Sequence, residues 1–176
     1  MVVSGALPED AVWRPLQPLP DARGVFAEIY RREWIEGSPA IQWNFVRSEA
    51  GVMRGVRLHL RHDDHVVVLD GLLQAGLRDL RRQSPTSGRT ALVELRGTAL
   101  SLLKVPAGVA HGFYVAEPSL FLIGVTRYHD PADDIPIRWN DPALEIPWPF
   151  ATARVSESDA AGLLLSEVSE RVGRLA

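Results

Sequence analysis

The chain of 176 residues contains no cysteine and a single lysine, Lys104. Without cysteine there is no disulfide, no thiolate nucleophile and no thiolate metal ligand, so a metal site would have to use histidine and carboxylate. No apolar run approaches the roughly 20 residues that span a bilayer, and no basic segment precedes an apolar one at the N-terminus. We therefore expect no membrane insertion and no signal peptide, and we predict a cytoplasmic location.

The charge composition also excludes a class of partner. The chain has 19 basic and 22 acidic residues and a net charge of -3, so we expect no nucleic-acid partner. Nearly all of the cations are arginine, whose planar guanidinium binds phosphate or carboxylate through two hydrogen bonds. A genomic preference for arginine codons would explain the excess by itself, but individual arginines still suit an anionic small ligand.

Short apolar segments separated by glycine, proline, aspartate or serine turns recur at fairly even spacing along most of the chain. This pattern predicts a mainly β protein, an antiparallel jelly-roll barrel forming one domain over residues 1–176. Four prolines in residues 1–20 predict an extended N-terminal arm. Ser156, followed by acidic residues and then by apolar residues at helical spacing, predicts a short C-terminal helix over 156–175.

Histidines are concentrated in one part of the chain. Four of the five lie between Gly51 and Phe113. The segments 51–65 and 106–113 each carry a histidine near a glycine and are bordered by apolar residues, which predicts facing strands whose side chains meet inside the barrel. The sequence therefore predicts the functional site in the interior of the barrel.

Several short motifs follow one another along the chain. They are Asp21-x-Arg23-Gly24-x-Phe26-x-Glu28, Gln42-x-Asn44, Gly51-Val-x-Arg54-Gly55-Val56, Asp79-Leu-Arg81, Pro106-x-Gly108-x-Ala110-His111-Gly112-Phe113 and Trp139-Asn140-Asp141-Pro142. In this order they resemble the dTDP-4-dehydrorhamnose 3,5-epimerase family of cupin-like jelly rolls. The resemblance implies a dTDP-linked 4-keto-6-deoxy sugar as substrate, inversion at C3 and C5 by proton abstraction next to the ketone, and no cofactor. It also implies a homodimer that exchanges an N-terminal segment.

The same motifs supply the predicted substrate contacts. We expect Arg23 and Arg54 to bind the diphosphate, because a half-buried anion favours donors that bind through two hydrogen bonds. Glu28 and Gln42 are weaker candidates for hydrogen bonds to the sugar or the base. The full predicted set is Arg23, Phe26, Glu28, Gln42, Asn44, Arg54, His111 and Ile123.

Two positions depart from the family pattern. The family's base is a histidine in an Arg-Gly-Leu-His segment, oriented by a downstream aspartate, and its acid is a tyrosine on a late strand. Here Arg57 stands at the base position, where a guanidinium cannot accept a proton, and Ile123 stands at the tyrosine position. His59 and His129 share the parity of these positions and are the candidate replacements. Asp159 matches the orienting aspartate or, alternatively, pairs with Arg57.

Three functions stay open on this basis. The first is an epimerase with a rearranged set of acids and bases drawn from His59, His111 or His129. The second is a catalytically divergent relative that binds a ligand or performs another biosynthetic reaction, with Arg57 as an anion clamp. The third is a metal-dependent cupin, because Pro106-x-Gly-x-x-His111 has the spacing of a cupin metal segment.

The metal hypothesis draws its other ligands from His59, His62, Asp64 and His65. Spacing argues against it, because His59-x-x-His62 does not place two ligands on one face of a regular strand. We also expect residues 61–65 to form a polar connection with solvated histidines. The sequence therefore predicts no metal.

Overall fold

The computed structural model describes residues 2–168, with side chains described from Ser4 onward. Its strands are β1 (Val2–Gly5), β2 (Val12–Pro15), β3 (Pro18–Asp21), β4 (Gly24–Ala27), β5 (Gln42–Ser48), β6 (Val52–Leu58), β7 (Asp64–Asp79), β8 (Thr90–Arg96), β9 (Ser101–Val105), β10 (Val109–Val125) and β11 (Ile135–Pro136). The helical elements include the 3-10 turns Arg32–Trp34, Pro131–Asp133 and Pro142–Leu144 and the α-helix α1 (Glu157–Ala160).

Two long strands organise the sheet. β10 pairs with β7 along most of its length, with β6 near its start and with β5 near its end. β7 in turn pairs with β9 through its first half and with β8 through its second half. All of these pairings are antiparallel, and the register of β10 against β7 shifts between Val115 and Phe121. Such shifts let one strand bend between two sheets, so the long strands close the barrel predicted from the sequence.

Apolar side chains fill the inside of the barrel and also two of its outer faces. The inner core is built from alternating residues of β7, β8, β9 and β10, including the fully buried Leu73, Val93 and Phe121. Met53 and Val56 of β6 pack outside it against the C-terminal part of the chain. A third cluster packs Leu16 and Ile35 of the N-terminal part against Val67 and Leu102. The terminal segments therefore cover the outside of the sheet.

The N-terminal arm predicted over residues 1–20 is partly wrong. The segment is extended, but β1 pairs with β8, β2 pairs with β9, and β3 forms a hairpin with β4. Pro15 is the last residue of β2 and Pro18 is the first residue of β3, and a missing N–H is tolerated at both positions. Leu16 is buried, so the first half of this segment belongs to the barrel and only the β3–β4 hairpin extends from it.

The predicted short C-terminal helix is present, but α1 covers only Glu157–Ala160 of the predicted span 156–175. The Ser156 hydroxyl accepts a hydrogen bond from the Asp159 N–H at 3.1 Å, as a helix cap does. The helix nevertheless ends at Ala160, because Leu163 donates its N–H to the Pro136 carbonyl. Helical structure resumes over 165–168, and the rest of the predicted helix lies outside the described residues. Within the described residues, no helix has the length and apolar character needed to cross a membrane.

Candidate active site

A cavity of about 460 Å³ lies between β5, β6, β10 and the start of β7. It brings together eight of the twelve residues predicted for the site: Asn44, Arg54, Arg57, His59, His111, Ile123, His129 and Asp159. The other lining residues include Val46, Val52, Phe113, Val125, His62, Asp64, Asp134 and Ser156. The prediction that Arg54 and His111 face one concave site is consistent with this arrangement.

Strand pairing explains how distant motifs meet. β6 lies beside β10, with Arg57 opposite His111 and Arg54 opposite Phe113. Ile123, further along β10, lies opposite Asn44 of β5. The motif around Arg54 and the motif ending at Phe113 therefore form adjacent strands of one wall, and Ile123 adds an apolar patch to it.

Arg57 is held by two carboxylates. Its Nη2 lies 2.5 Å from Asp159 Oδ1 and its Nη1 lies 3.1 Å from Asp134 Oδ2. Nη2 also donates to the Ser158 hydroxyl at 3.3 Å. Asp159 therefore pairs with Arg57, which is the alternative that the sequence offered for it. Because both terminal nitrogens are engaged, Arg57 is poorly placed to serve as the anion clamp suggested by the sequence.

Four side chains converge at the inner end of the cavity, and we call His59, His62, Asp64 and His111 the histidine–aspartate cluster. Asp64 Oδ2 lies 2.6 Å from His111 Nε2 and 3.6 Å from His59 Nε2. Asp64 Oδ1 lies 3.5 Å from His62 Nε2. The rings of His59 and His62 stack with centroids 4.2 Å apart. Three imidazoles therefore surround one carboxylate.

His62 and Asp64 were candidates only in the metal hypothesis and were left out of the predicted site. We predicted a polar connection with solvated histidines at 61–65, but His62 is 7% exposed, Asp64 4% and His65 0%. The chain bends at residues 60–61 between β6 and β7, so the alternation of a regular strand does not continue from His59 to His62. His65 points elsewhere and packs edge-on against Tyr30.

Burial and charge act differently on the members of the cluster. Burial lowers the pKa of His59. Burial would also lower the pKa of His62, but hydrogen bonds and charge from Asp64 and Asp133 outweigh it and raise that pKa. Burial would raise the pKa of Asp64, but the short contact with His111 Nε2, followed by the longer one with His62 Nε2, outweighs it and holds that pKa well below its usual range. The carboxylate is thus kept ionised by its imidazole neighbours.

Four predicted residues do not line this cavity. Arg23 pairs with Asp21 and Glu28 with Arg31, both on the exterior, and Phe26 is 63% exposed. All three lie on or just after the β3–β4 hairpin, away from the cavity of the same chain. Gln42 stands behind the cavity wall.

Gln42 connects two residues that do line the cavity. Its Nε2 donates to Asn44 Oδ1 at 2.9 Å, and its Oε1 accepts from the His129 N–H at 3.1 Å. Strand parity does not place His129, because β10 ends at Val125. His129 reaches the cavity from an exposed loop held by Gln42.

An antiparallel barrel with a polar cavity between its strands defines a cupin-like jelly roll with a small-molecule site. A family model described as dTDP-4-dehydrorhamnose 3,5-epimerase matches residues 6–167. The chain therefore belongs to the dTDP-4-dehydrorhamnose 3,5-epimerase family, as its motifs suggested.

Individual relatives agree with this assignment. The dTDP-4-dehydrorhamnose 3,5-epimerase of Pseudomonas aeruginosa is 35% identical over 167 residues, covering 89% of this chain and 91% of that protein. The Salmonella typhimurium enzyme of the same name is 32% identical over 179 residues, covering 95% and 96%. A dTDP-6-deoxy-D-glucose-3,5-epimerase from Legionella pneumophila, solved in complex with dTDP-4-keto-L-rhamnose, superposes with a TM-score of 0.87 at 29% identity, covering 98% and 96%.

Proposed function

We propose that this protein is an epimerase that binds a dTDP-linked 4-keto-6-deoxy sugar and removes a proton from a carbon next to the ketone. The observation that carries the proposal is the shared cavity, in which an arginine suited to a diphosphate and the histidine–aspartate cluster face one space. The relative from Legionella pneumophila was solved with a ligand of this class. The family relation and the cavity thus support the same chemistry.

Arg54 is the candidate for the diphosphate. It lines the cavity and is exposed to it, and its Nε donates to the Ser48 hydroxyl at 3.2 Å. Among the described residues no carboxylate forms an ion pair with Arg54, in contrast to Arg57. A guanidinium without an internal counter-charge can form two hydrogen bonds to a phosphate, so we place the charged end of the ligand at Arg54.

The reaction requires a base, stabilisation of the enolate and a proton donor on the opposite face. Arg57 and Ile123 supply neither base nor acid. The histidine–aspartate cluster lies on the same cavity wall and brings imidazole nitrogens and a carboxylate to it, and His129 lies at the exposed side. We therefore assign the chemistry to the cluster, with His129 as a second group able to exchange a proton.

We also propose that the protein works as a homodimer. Leu19, Val25 and Phe26 on the β3–β4 hairpin are between 55% and 66% exposed, and Phe45 on β5 is 62% exposed. Several large apolar side chains exposed on one hairpin mark an interaction site. A second copy covering the hairpin would also give Arg23, Phe26 and Glu28 a cavity to reach, which their own chain does not provide.

Hydrogen exchange tests the proposed reaction. In heavy water, an epimerase of this type replaces the protons at C3 or C5 of a dTDP-4-keto-6-deoxy sugar with deuterium, which proton NMR detects directly. We expect exchange well above the rate without protein and expect the His59→Ala variant to lose at least about 100-fold of it, the typical range for a proton-transferring group. Saturable binding of the sugar nucleotide without any exchange would contradict the epimerase assignment and favour a divergent ligand-binding protein.

A further inference from the structure

We propose that His59, His62 and Asp64 bind a single divalent transition-metal ion at the inner end of the cavity, with His111 beside Asp64. The binding of the ion does not depend on the proposed function, whereas its part in catalysis rests on it. The expectation of no metal came from the spacing of histidines along a regular strand, and the bend at residues 60–61 removes that objection.

The separations between the donor atoms fit one ion. The ligand atoms of His59, His62 and Asp64 all lie within 4.8 Å of one another. With metal–ligand bonds of about 2.1 Å, neighbouring ligand atoms lie about 3.0 Å apart in octahedral and about 3.4 Å apart in tetrahedral geometry. The Nε2-to-carboxylate distances of 3.6 Å for His59 and 3.5 Å for His62 come close to the tetrahedral value. His111 Nε2 lies 2.6 Å from Asp64 Oδ2, a hydrogen-bonding distance, so His111 holds the carboxylate and is not counted as a ligand.

Hydrogen bonds fix which nitrogen of each ring faces the cluster. His59 Nδ1 lies 3.0 Å from the Asp133 carbonyl oxygen, and His111 Nδ1 lies 3.1 Å from the Val109 carbonyl oxygen. His62 Nδ1 lies 3.0 Å from Asp133 Oδ2. Because these oxygens only accept, each Nδ1 is the donor, and the Nε2 of each ring is the nitrogen that faces Asp64. This is the arrangement in which histidines bind metals.

The cluster leaves one buried carboxylate oxygen without a partner. Asp64 Oδ1 has no hydrogen-bond partner in the described part of the chain. Asp64 is only 4% exposed, so water compensates little. Buried polar atoms normally have partners, and an unpartnered one points to an ion or molecule that would satisfy it. A cation at this position would coordinate Asp64 together with the imidazoles of His59 and His62.

The donor set also selects the class of ion. Two imidazoles with one carboxylate suit iron, manganese, nickel, cobalt or zinc and not calcium or magnesium, which favour oxygen ligands. These side chains also line the cavity, so coordination positions remain for a ligand. An ion placed there would polarise a carbonyl oxygen and stabilise the enolate formed from it.

Asp133 acts as a positioning residue for this site. It is 3% exposed, and its carboxylate accepts from the backbone N–H groups of Leu60 at 2.9 Å and Arg61 at 3.1 Å. The Asp133 carboxylate therefore stabilises the bend after β6. The same residue also accepts from His59 Nδ1 through its backbone carbonyl and from His62 Nδ1 through its carboxylate. A fixed outer carboxylate orients ligating imidazoles and increases their affinity for the metal.

Metal titration of the full-length protein tests the proposal without any sugar. We would strip the protein with a chelator and then titrate it with Co²⁺, Ni²⁺ and Zn²⁺ by calorimetry, with the visible spectrum of bound Co²⁺ as a second readout. We expect one ion per chain, with micromolar or tighter affinity for at least one of the three, and a Co²⁺ spectrum of nitrogen and oxygen coordination. Binding no tighter than millimolar for all three ions, or a stoichiometry other than one, would overturn the proposal.

Substitutions locate the ion. The variants His62→Ala and Asp64→Asn should each weaken binding by at least about 100-fold, and Asp133→Asn by about 10- to 100-fold, as for outer partners of metal ligands. His129→Gln is the matched control, because it removes a histidine outside the cluster, and its affinity should be unchanged. Circular dichroism confirms that each variant folds, and His59→Gln replaces any variant that does not. Full affinity in folded His62→Ala and Asp64→Asn would place the ion elsewhere and overturn the proposal.

The two proposals fail in different ways. One tightly bound ion without any hydrogen exchange in the sugar would support the metal site and contradict the epimerase function. Hydrogen exchange by a protein that binds none of the ions would support the epimerase function and contradict the metal site. Exchange that disappears on chelation and returns on adding the ion would support both, since it would assign the ion to the enolate step.

Discussion

At position 57 a guanidinium lies between the carboxylates of Asp134 and Asp159, where the family pattern has a histidine beside the aspartate. The ion pair closes that part of the wall to proton transfer. At position 123 an isoleucine stands for a tyrosine. These two residues explain why the acid–base chemistry has to come from other side chains on the same cavity wall.

Removing the guanidinium tests this role of Arg57. The Arg57→Ala variant leaves Asp159, which is 6% exposed, without its cation. We expect a loss of about 2–3 kcal/mol in the free energy of unfolding, somewhat less than the roughly 3–5 kcal/mol for a fully buried pair because Arg57 is partly exposed. Urea denaturation at neutral pH measures this loss in the free energy of unfolding. The exposed Arg127→Ala is the control, and an equal effect in both variants would show that the ion pair adds nothing.

The sequence placed some of the cavity residues correctly but not all of them. Arg54, Arg57, His59, His111, Ile123 and Asp159 could be placed in one site because motif order and strand alternation fix them. His62 and Asp64 could not, because their position depends on the bend after β6. The earliest available signal was the presence of three histidines and two aspartates in seven residues, His59 to His65.

At the scale of the elements, most strands were predictable and their ends were not. The short apolar segments between turns predicted a β protein, but two of the strands are longer than such segments: β7 covers Asp64–Asp79 and β10 covers Val109–Val125. Long strands that bend between sheets interrupt the period-two pattern, so their full length could not be predicted.

The loop after β7 gives a pH-dependent prediction. The Asp79 carboxylate accepts hydrogen bonds from Arg81 Nη2 at 2.9 Å, Ser84 Oγ at 2.7 Å and Thr86 Oγ1 at 2.6 Å. Burial would raise the pKa of Asp79, but these bonds, above all those from Arg81, outweigh it and hold that pKa below its usual range. The unfolded chain therefore binds more protons in acid, so the stabilisation is present above about pH 4 and is lost as the pH falls.

We accordingly expect the free energy of unfolding to decrease as the pH is lowered from about 5 to about 3, and the Asp79→Asn variant to show a smaller decrease. At neutral pH the variant should already be less stable, because Arg81 loses its buried counter-charge. Denaturant titrations across this pH range measure both effects. Asp70→Asn, at an exposed carboxylate, is the control. The same pH slope in Asp79→Asn and the unchanged chain would contradict the assignment to Asp79.

At the scale of the whole molecule, the terminal segments cover the outside of the barrel while one hairpin stays uncovered. Residues 16–35 pack on one face and residues 135–168 on another. The β3–β4 hairpin instead exposes Leu19, Val25 and Phe26. The jelly-roll fold could be predicted from motif order, whereas the partner of this hairpin depends on a second chain. The cytoplasmic location stays a prediction.

Solution mass tests the homodimer. We expect sedimentation or light scattering to give twice the mass of one chain, and the Phe26→Glu variant to give the mass of a single chain because a charge cannot be buried unpaired in an apolar interface. Tyr128→Glu is the matched control, because Tyr128 is 73% exposed and lies outside the hairpin. A single-chain mass for the unchanged protein would contradict the proposal.

The central claim is that the sugar of a bound nucleotide lies against the histidine–aspartate cluster, and a crystal structure of the protein with a dTDP-4-keto-6-deoxy sugar tests it most directly. The account predicts the diphosphate within hydrogen-bonding distance of Arg54 and the hexose ring facing His59, His111 and Asp64. A hexose ring turned away from these three side chains, or a nucleotide bound outside the cavity, would contradict it.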